Sequence, residues 1–383
     1  MTTDALDACT LDHLARAEVR TLPAYNAGLS SDAVRSRYGV THVARLTSNE
    51  NPYGASPAVA QALSKLAERI SLYPDPQCTA LRAALAAGTG AQAAEVVVGN
   101  GSENLLEILC QAFLSPGDRV VTLRPSFGLH EIYPRMMGAT VHMVPVTPAL
   151  TFDVDALCAA LSDEPPPKMV LLSNPSNPVG CSLDTAAFRR IVAATPPQTL
   201  LVIDEAYYEY ARHTPGFPDA LAELRAQARP WIVLRTFSKA WGLAGLRVGY
   251  GVASHPRVVQ MLDRVRTPFN VNAAAQTAAL AAWGDSHHMA RCVRETVAQR
   301  EWMAGQLISR GYPVAPSATN FLFMNLGRPN APVAEALLQR GVIVKPWKER
   351  GYETFIRVSI GTPADNQQFM AALDAAMQAP ALV

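Results

Sequence analysis

Short apolar segments rich in β-branched residues recur along the first two thirds of the chain. Most are apolar at consecutive positions rather than at alternate ones, which is typical of strands covered by helices on both faces. Several of the segments between them repeat apolar residues every three or four positions, as SENLLEILCQAFL does after an expected Ser102 cap. This alternation predicts an α/β fold with a large, doubly wound, mostly parallel seven-stranded sheet. The predicted strands are 95–99, 119–123, 140–146, 168–173, 199–204, 231–236 and 246–252.

The pattern changes after Asn272. A long helix-rich stretch leads into the strand-like segments NFLFMNL, VIVKPW and FIRVSI, with a helix APVAEALLQRG among them and another from about Pro363. A chain of 383 residues is also too long for one ordinary core. We therefore predict an N-terminal arm at 1–49 that packs across a smaller α+β domain at 272–383, and a large domain at 50–271.

Composition narrows the possible partners. Lys and Arg (33) nearly balance Asp and Glu (32), so the net charge of +1 gives no support to nucleic acid or an anionic membrane as a partner. No apolar run is long enough for a membrane span, and the N-terminus lacks the apolar region of a signal peptide. The six cysteines are scattered without metal-like spacing. They are expected to be reduced thiols of a cytoplasmic protein, and no metal site is predicted.

Polar groups follow four of the predicted strands, as GNGSEN, NPSNPVG, DEAYYEY and FSK. Open α/β sheets bind ligands beyond the carboxyl ends of their strands, so these groups are expected to meet at one rim. GNGSEN is one glycine short of the dinucleotide fingerprint, which argues against a nicotinamide dehydrogenase. By itself it fits an anion-binding helix start or an ordinary tight turn equally well.

Two strand ends leave alternatives open when each is considered alone. Asp204 could cap a helix or form an ion pair, or its carboxylate could keep a heterocyclic nitrogen protonated. Tyr207 could share that ligand or simply pack in the core. Asn177 begins the second of the two Asn-Pro steps in NPSNPVG, in a generic turn or in one that holds its amide toward the rim.

Lys239 and Arg247 lie eight residues apart in a stretch without carboxylates. A lysine in a pocket can form a Schiff base with an aldehyde, and a surface lysine in a flexible loop is the plainer alternative. Thr236 and Ser238 can donate to a phosphate, which Arg247 would also bind. The combination favours a phosphorylated aldehyde as ligand.

These residues resemble a known family. SKAWGLAGLR, DEAY and NPSNPVG together are similar to the fold-type I aminotransferases that depend on pyridoxal 5′-phosphate (PLP). LTSNENPYG, YPDP, GNGSEN, RPSF and IRVSIGT resemble the histidinol-phosphate branch of that family in particular. The resemblance extends from about Tyr25 to Thr362. A DNA-binding regulator built on the same fold is disfavoured, because the chain has no spare basic helix-turn-helix segment.

The resemblance implies roles for individual residues. Lys239 would bond to PLP and move the proton between the substrate and the cofactor, and Asp204 would keep the pyridine nitrogen protonated. Asn177 and Tyr207 would contact the phenolic oxygen, and Phe127 would stack on the ring where a tyrosine is common. The cofactor phosphate would bind the backbone amides of Ser102 and Glu103, the hydroxyls of Thr236 and Ser238, and Arg247.

The resemblance also implies how substrates bind. Arg357 would bind the anionic group of each substrate, assisted by Lys345 where an arginine is common, with Tyr25 and Asn49 nearby. Tyr73 would reach the cofactor of a neighbouring subunit, which implies a homodimer with shared sites. The implied reaction transfers the amino group of histidinol phosphate to 2-oxoglutarate. An aromatic amino-acid aminotransferase and a threonine-phosphate decarboxylase-like enzyme are the alternatives.

Overall fold

The computed structural model of this chain describes residues 13–22 and 29–378. Its strands are numbered here in chain order. They are β1 (Ala44–Arg45), β2 (Val96–Gly99), β3 (Arg119–Arg124), β4 (Thr140–Pro145), β5 (Met169–Ser173), β6 (Leu200–Asp204), β7 (Trp231–Thr236), β8 (Gly249–Ala253), β9 (Phe321–Asn325), β10 (Val342–Ile343), β11 (Lys345–Pro346) and β12 (Phe355–Ser359).

The described residues also form α-helices around these strands. Three short 3₁₀ turns lie at 67–69, 93–95 and 244–246. The helices are α1 (Ala17–Arg20), α2 (Ser31–Tyr38), α3 (Pro57–Ser64), α4 (Thr79–Thr89), α5 (Ser102–Phe113), α6 (Leu129–Met136), α7 (Val154–Ser162), α8 (Thr185–Ala194), α9 (Tyr208–Ala211), α10 (Ala220–Arg225), α11 (Pro256–Val265), α12 (Ala273–Gly284), α13 (Ser286–Ser309), α14 (Asn330–Leu338) and α15 (Pro363–Gln378).

Seven strands form the large sheet, in the order β2-β8-β7-β6-β5-β3-β4. From β7 to β4 in this order, each strand is parallel to its neighbour. Strand β8 runs antiparallel to both β2 and β7. Six of the seven strands therefore point the same way, and their carboxyl ends lie at one edge. The predicted mostly parallel, seven-stranded α/β sheet is confirmed.

The central strands are buried on both faces because helices cover the sheet from either side. Every residue of β5, β6 and β7 is buried, whereas the edge strand β4 alternates exposed positions with half-buried or buried ones. Alternate residues of β6 belong to different cores: Leu201 and Ile203 pack in one, Leu200 and Val202 in the other. This is the double covering that consecutive apolar residues predict.

A separate core, distinct from the two at the large sheet, surrounds the antiparallel sheet β11-β12-β9 and helices α14 and α15. The N-terminal arm contributes to it: β1 pairs in parallel with β10, and Ala44 and Leu46 are buried in this core. Helix α12 instead packs its alanines in the core of the large sheet, and α13 contributes residues to both cores. The division of the chain at residue 272 therefore stays a prediction. Within the described residues, no helix has the length and apolar character that crossing a membrane requires.

Candidate active site

The carboxyl ends of β2, β5, β6 and β7 form one rim. Ser173 at the end of β5 is in register with Asp204 at the end of β6. Thr236 at the end of β7 pairs with Gly249, which pairs in turn with Gly99 of β2. The antiparallel strand β8 begins at this rim, so the segment before it brings Arg247 to the same place.

A cavity of about 1160 Å³ opens above this rim, between the large sheet and the smaller one. It brings together most of the residues that the sequence indicates. The predicted residues that line it are Asn49, Ser102, Glu103, Phe127, Asn177, Asp204, Tyr207, Thr236, Ser238, Lys239, Arg247, Lys345 and Arg357.

Two predicted residues remain: Tyr73, which is not among those that line the cavity, and Tyr25. Tyr25 lies outside the described residues. Tyr73 is 81% exposed and stacks on Phe269, with the ring centroids 4.5 Å apart. The implied role of Tyr73, at the cofactor of a neighbouring subunit, therefore stays a prediction.

Lys239 presents a primary amine to the cavity. Its Nζ donates a hydrogen bond to the carbonyl of Ser48 at 2.9 Å and lies 5.9 Å from the ring centroid of Tyr207. Burial, followed by the nearby Arg357 guanidinium, lowers the pKa of the Lys239 ammonium to about 7. Near neutral pH a large fraction of this amine is therefore uncharged and nucleophilic.

The start of α5 forms a cradle for an anion. Gly101 precedes the helix with φ of 88°, and an added Cβ there would lie 2.6 Å from a guanidinium nitrogen of Arg247. A Cβ on Gly249 would lie 2.3 Å from the backbone nitrogen of Ser102. Only glycine allows so close an approach of β8 to the helix start. The expected Ser102 cap is wrong: Ser102 is the first helical residue, and Gly101 precedes it without a side-chain cap.

Side chains complete this cradle from β7 and the segment before β8. The Ser238 amide donates to Thr236 Oγ1 at 3.1 Å, and Arg247 reaches Ser238 Oγ at 3.4 Å. Arg247 also lies 3.4 Å from the Glu103 carboxylate, in a pair whose side chains are about half exposed. Free amides at the helix start, two hydroxyls and a guanidinium are the groups that bind a phosphate.

Asp204 is buried at the end of β6 and is held on both carboxylate oxygens. The Ala206 amide donates to its Oδ1 at 3.1 Å, and His130 Nε2 lies 3.2 Å from its Oδ2. His130 is fully buried, with its Nδ1 3.2 Å from Ser126 Oγ. This contact fixes the orientation of the Asp204 carboxylate at the cavity wall.

Cationic groups from the smaller sheet form the opposite wall. Arg357 is buried, donating to Asn177 Oδ1 at 2.6 Å and to the Thr47 carbonyl at 2.7 Å. Lys345 is its register partner on β11. Burial, with Arg357 and then Lys348 adding to it, lowers the pKa of the Lys345 ammonium. Two neighbouring cations at this wall favour an anionic substrate group.

A family comparison identifies this arrangement. The family model described as "Aminotransferase class I and II" matches residues 41–373, which is most of the chain. The chain belongs to this aminotransferase family. The match spans both sheets and every rim segment described above, so it covers the site as well as the fold.

Individual relatives of this chain are aminotransferases too. It is 50% identical over 358 residues to histidinol-phosphate aminotransferase 3 of Rhizobium meliloti, covering 94% of this chain and 96% of the relative. It is 48% identical over 360 residues to histidinol-phosphate aminotransferase 1 of Mesorhizobium japonicum, covering 94% and 97%. A crystal structure of histidinol-phosphate aminotransferase from Sinorhizobium meliloti in complex with pyridoxal-5′-phosphate superposes with a TM-score of 0.85 at 28% identity, covering 94% and 97%. The resemblance inferred from the motifs is confirmed.

Three residues that contact predicted residues of this site were not predicted themselves: Asn320, Ser359 and His130. Asn49, with φ of 56°, donates to the Tyr207 hydroxyl at 2.8 Å and exchanges two hydrogen bonds with Ser359. Asn320 donates to the Asn49 carbonyl at 3.0 Å. The motif IRVSIGT contains Ser359 and could have indicated its role, whereas His130 lies in a helix without any motif.

Proposed function

We propose that this chain is a histidinol-phosphate aminotransferase that uses PLP, transferring the amino group of histidinol phosphate to 2-oxoglutarate. The products are imidazole acetol phosphate and glutamate. One observation carries the proposal: a half-buried amine, Lys239, lies in a cavity with a phosphate cradle on one side and two cations on the other, in a chain 50% identical to an enzyme of that name.

The residues of the rim fit PLP. The cradle at the start of α5 suits its phosphate, and Lys239 suits its aldehyde. The Asp204 carboxylate suits its ring nitrogen, and Phe127, half-buried at the cavity wall, suits its ring face. When bound, PLP supplies an aldehyde that accepts amino groups and a ring that withdraws electrons from the reacting carbon.

The protein side chains do the remaining work. Lys239 Nζ would take the proton from the amine-bearing carbon of the donor and deliver it to the aldehyde carbon of the cofactor, which an amine with a pKa of about 7 does efficiently near neutral pH. Asp204, oriented by His130, holds a proton on the ring nitrogen. Tyr207 and Asn177 contact the phenolic oxygen. The residues of the cradle would hold the phosphate and so keep the cofactor bound through both half-reactions.

Arg357 is proposed to bind the phosphate of histidinol phosphate and a carboxylate of 2-oxoglutarate, the two substrates, as well as the carboxylate of the product glutamate. We expect Arg357→Ala to raise KM for both by about 10- to 100-fold, the effect of losing hydrogen bonds to a charged group. Arg357→Lys keeps the charge but loses the two-pronged geometry, so a smaller rise is expected. Steady-state kinetics with each substrate measure this.

The control for Arg357 is Arg310→Ala, which removes an arginine from a partly exposed ion pair with Asp374. It should leave both KM values unchanged. A variant at Arg357 with unchanged KM for both substrates would exclude this arginine from substrate binding.

We further propose a homodimer in which Tyr73 reaches the phosphate of the neighbouring subunit's cofactor. Large apolar side chains cluster around Tyr73 on the surface: Ile70 is 79% exposed, Leu72 61% and Phe269 39%. An exposed apolar patch of this kind is typical of an interaction surface, and a second copy would cover it. A cytoplasmic location likewise stays a proposal, supported by the free cysteines of the described residues.

Ile70→Glu is expected to convert the dimer to a monomer, because it places a charge in an apolar interface. Sedimentation velocity measures the change, and PLP affinity should fall with it if Tyr73 binds the cofactor of its neighbour. Ile308→Glu is the matched control, since Ile308 is an exposed isoleucine (60%) far along α13. A wild-type monomer with full activity would contradict the shared site.

The substrate is tested by comparing amine donors with 2-oxoglutarate as acceptor. Histidinol phosphate should give the highest kcat/KM among histidinol phosphate, phenylalanine, tyrosine and threonine phosphate. Preference for phenylalanine or tyrosine would instead identify an aromatic amino-acid aminotransferase. Release of CO₂ from threonine phosphate would identify a decarboxylase.

A further inference from the structure

Asn49 links the two sheets through buried hydrogen bonds. Its side-chain amide lies between Ser359 at the end of β12 and Tyr207 in the segment after β6, and all three residues are buried. Asn49 Nδ2 donates to the Tyr207 hydroxyl at 2.8 Å, and Ser359 Oγ donates to Asn49 Oδ1 at 2.7 Å. A hydrogen-bonded path therefore leads from the smaller sheet to a tyrosine that lines the cavity.

The backbone of Asn49 is held in place. Its φ of 56° lies in the left-handed region, which asparagine tolerates better than most residues with a side chain. The Asn49 amide donates to Ser359 Oγ at 2.8 Å, and Asn320 Nδ2 donates to the Asn49 carbonyl at 3.0 Å. The Ser359 amide in turn donates to the Leu46 carbonyl at 2.9 Å. With both backbones fixed, only the direction of the Asn49 side-chain amide remains to be set.

The hydroxyl hydrogen of Ser359 sets that direction. Ser359 Oγ accepts from the Asn49 backbone, and its own hydrogen has Asn49 Oδ1 as acceptor. If the side-chain amide were turned over, Nδ2 would face Ser359, and the serine hydrogen would lose this acceptor. A buried hydroxyl that loses its acceptor is unfavourable. Oδ1 therefore stays at Ser359, and the donor Nδ2 stays at Tyr207.

The direction of the amide decides where the Tyr207 hydroxyl can donate. The Tyr207 oxygen accepts from Asn49 Nδ2, so the tyrosine hydrogen is directed away from Asn49. With the amide turned over, Asn49 Oδ1 would accept that hydrogen instead and compete with any ligand for it. The tyrosine ring is held in place by Phe321, which it meets edge-on with the centroids 5.2 Å apart.

We propose that Ser359 is a positioning residue that, through Asn49, directs the Tyr207 hydroxyl to donate to the phenolic oxygen of PLP. This inference rests on the proposed function, in which Tyr207 contacts that oxygen. The donated hydrogen bond offsets part of the negative charge on the oxygen. It thereby weakens the attraction for the proton that the oxygen shares with the nitrogen by which Lys239 binds PLP. Loss of the hydrogen bond should raise the pH at which this proton leaves.

The test measures the midpoint pH at which the absorbance spectrum of bound PLP changes, in the holoenzyme without substrate. Tyr207→Phe should raise the midpoint by about one to two pH units, the shift for losing a hydrogen bond to a charged group. Ser359→Ala should raise it by about half to one unit, because the two directions of the Asn49 amide then compete. In the Tyr207→Phe background, Ser359→Ala should add no further shift, since the tyrosine hydrogen is already absent.

A size-matched pair of variants separates the hydroxyl of Ser359 from its volume. Ser359→Thr keeps a hydroxyl and should have a midpoint near that of wild type. Ser359→Val has the shape of the threonine variant without the hydroxyl, and its midpoint should rise as in Ser359→Ala. Ser317→Ala is the control: Ser317 Oγ donates to the Phe321 carbonyl on β9 at 2.7 Å, but Ser317 is not among the described residues that line the cavity. Its midpoint should equal that of wild type.

Two results would overturn the inference while leaving the proposed function intact. An unchanged midpoint in Ser359→Ala, or equal midpoints in the threonine and valine variants, would show that the serine hydroxyl does not direct the tyrosine. A full further shift from Ser359→Ala in the Tyr207→Phe background would show that Ser359 does not act through Tyr207. Wild-type enzyme that binds PLP but does not react with histidinol phosphate would contradict the proposed substrate, and the spectral shifts would still decide the inference.

Discussion

Replacing Lys239 by alanine is expected to lower the rate of transamination by at least about 10⁴-fold, the upper range for removing a group that transfers a proton. The variant loses both the amine that reacts with the cofactor aldehyde and the base that moves the proton. Two neighbouring groups cannot substitute for it, because the Tyr207 hydroxyl accepts a hydrogen bond from Asn49 and Arg357 is permanently charged.

Single-turnover measurements with histidinol phosphate test this prediction. The alanine variant should still bind PLP, because the cradle at the start of α5 is unchanged. Lys65→Ala, a substitution at an exposed lysine on the surface, is the control and should behave as wild type. A Lys239→Ala enzyme that keeps more than about a hundredth of the wild-type rate would exclude this residue as the proton-transfer group.

Replacing Asp204 by asparagine is expected to lower kcat by about 10³-fold. A carboxylate about 4 Å from a protonated nitrogen contributes about 4 kcal/mol at an effective dielectric constant of 20, and that energy equals three powers of ten in rate. The amide cannot keep the ring nitrogen protonated, so the ring withdraws electrons less strongly. The hydrogen bond from the Ala206 amide can persist, which limits the structural damage.

The kinetics of Asp204→Asn should be accompanied by a change in the absorbance spectrum of bound PLP, since the protonation of its ring changes. Asp219→Asn is the matched control: Asp219 caps α10, and asparagine caps helices equally well. Wild-type activity in Asp204→Asn would mean that this carboxylate has only a structural role, as the end of a buried strand.

The fold and the cofactor side of the site could be predicted because both depend on short segments. Consecutive apolar residues predict the seven strands to within about three residues at each end, and strand direction then brings Asp204, Thr236 and Lys239 to one rim. Each strand end contributes only a few residues to the site. The apolar pattern that predicts a strand and the polar motif that follows it are therefore adjacent in the sequence.

The contacts that complete the site could not be predicted, because they join residues far apart in the chain. His130 contacts Asp204 across 74 residues, and Asn49 contacts Ser359 across 310. Nothing in a helix pattern indicates which of its residues will face a carboxylate on another strand. The wrong prediction for Ser102 has a similar cause. Gly249 approaches the start of the helix so closely that Gly101, which has no side chain, takes the N-cap position.

The most direct test of the account is to find which lysine binds the cofactor. Lys345 lies in the same cavity and burial lowers its pKa too, so it is the natural competitor of Lys239. Holoenzyme reduced with borohydride and digested should yield one pyridoxyl-labelled peptide, carrying the label on Lys239. Label on Lys345, or reduction that leaves no label on the protein, would contradict the central role of Lys239.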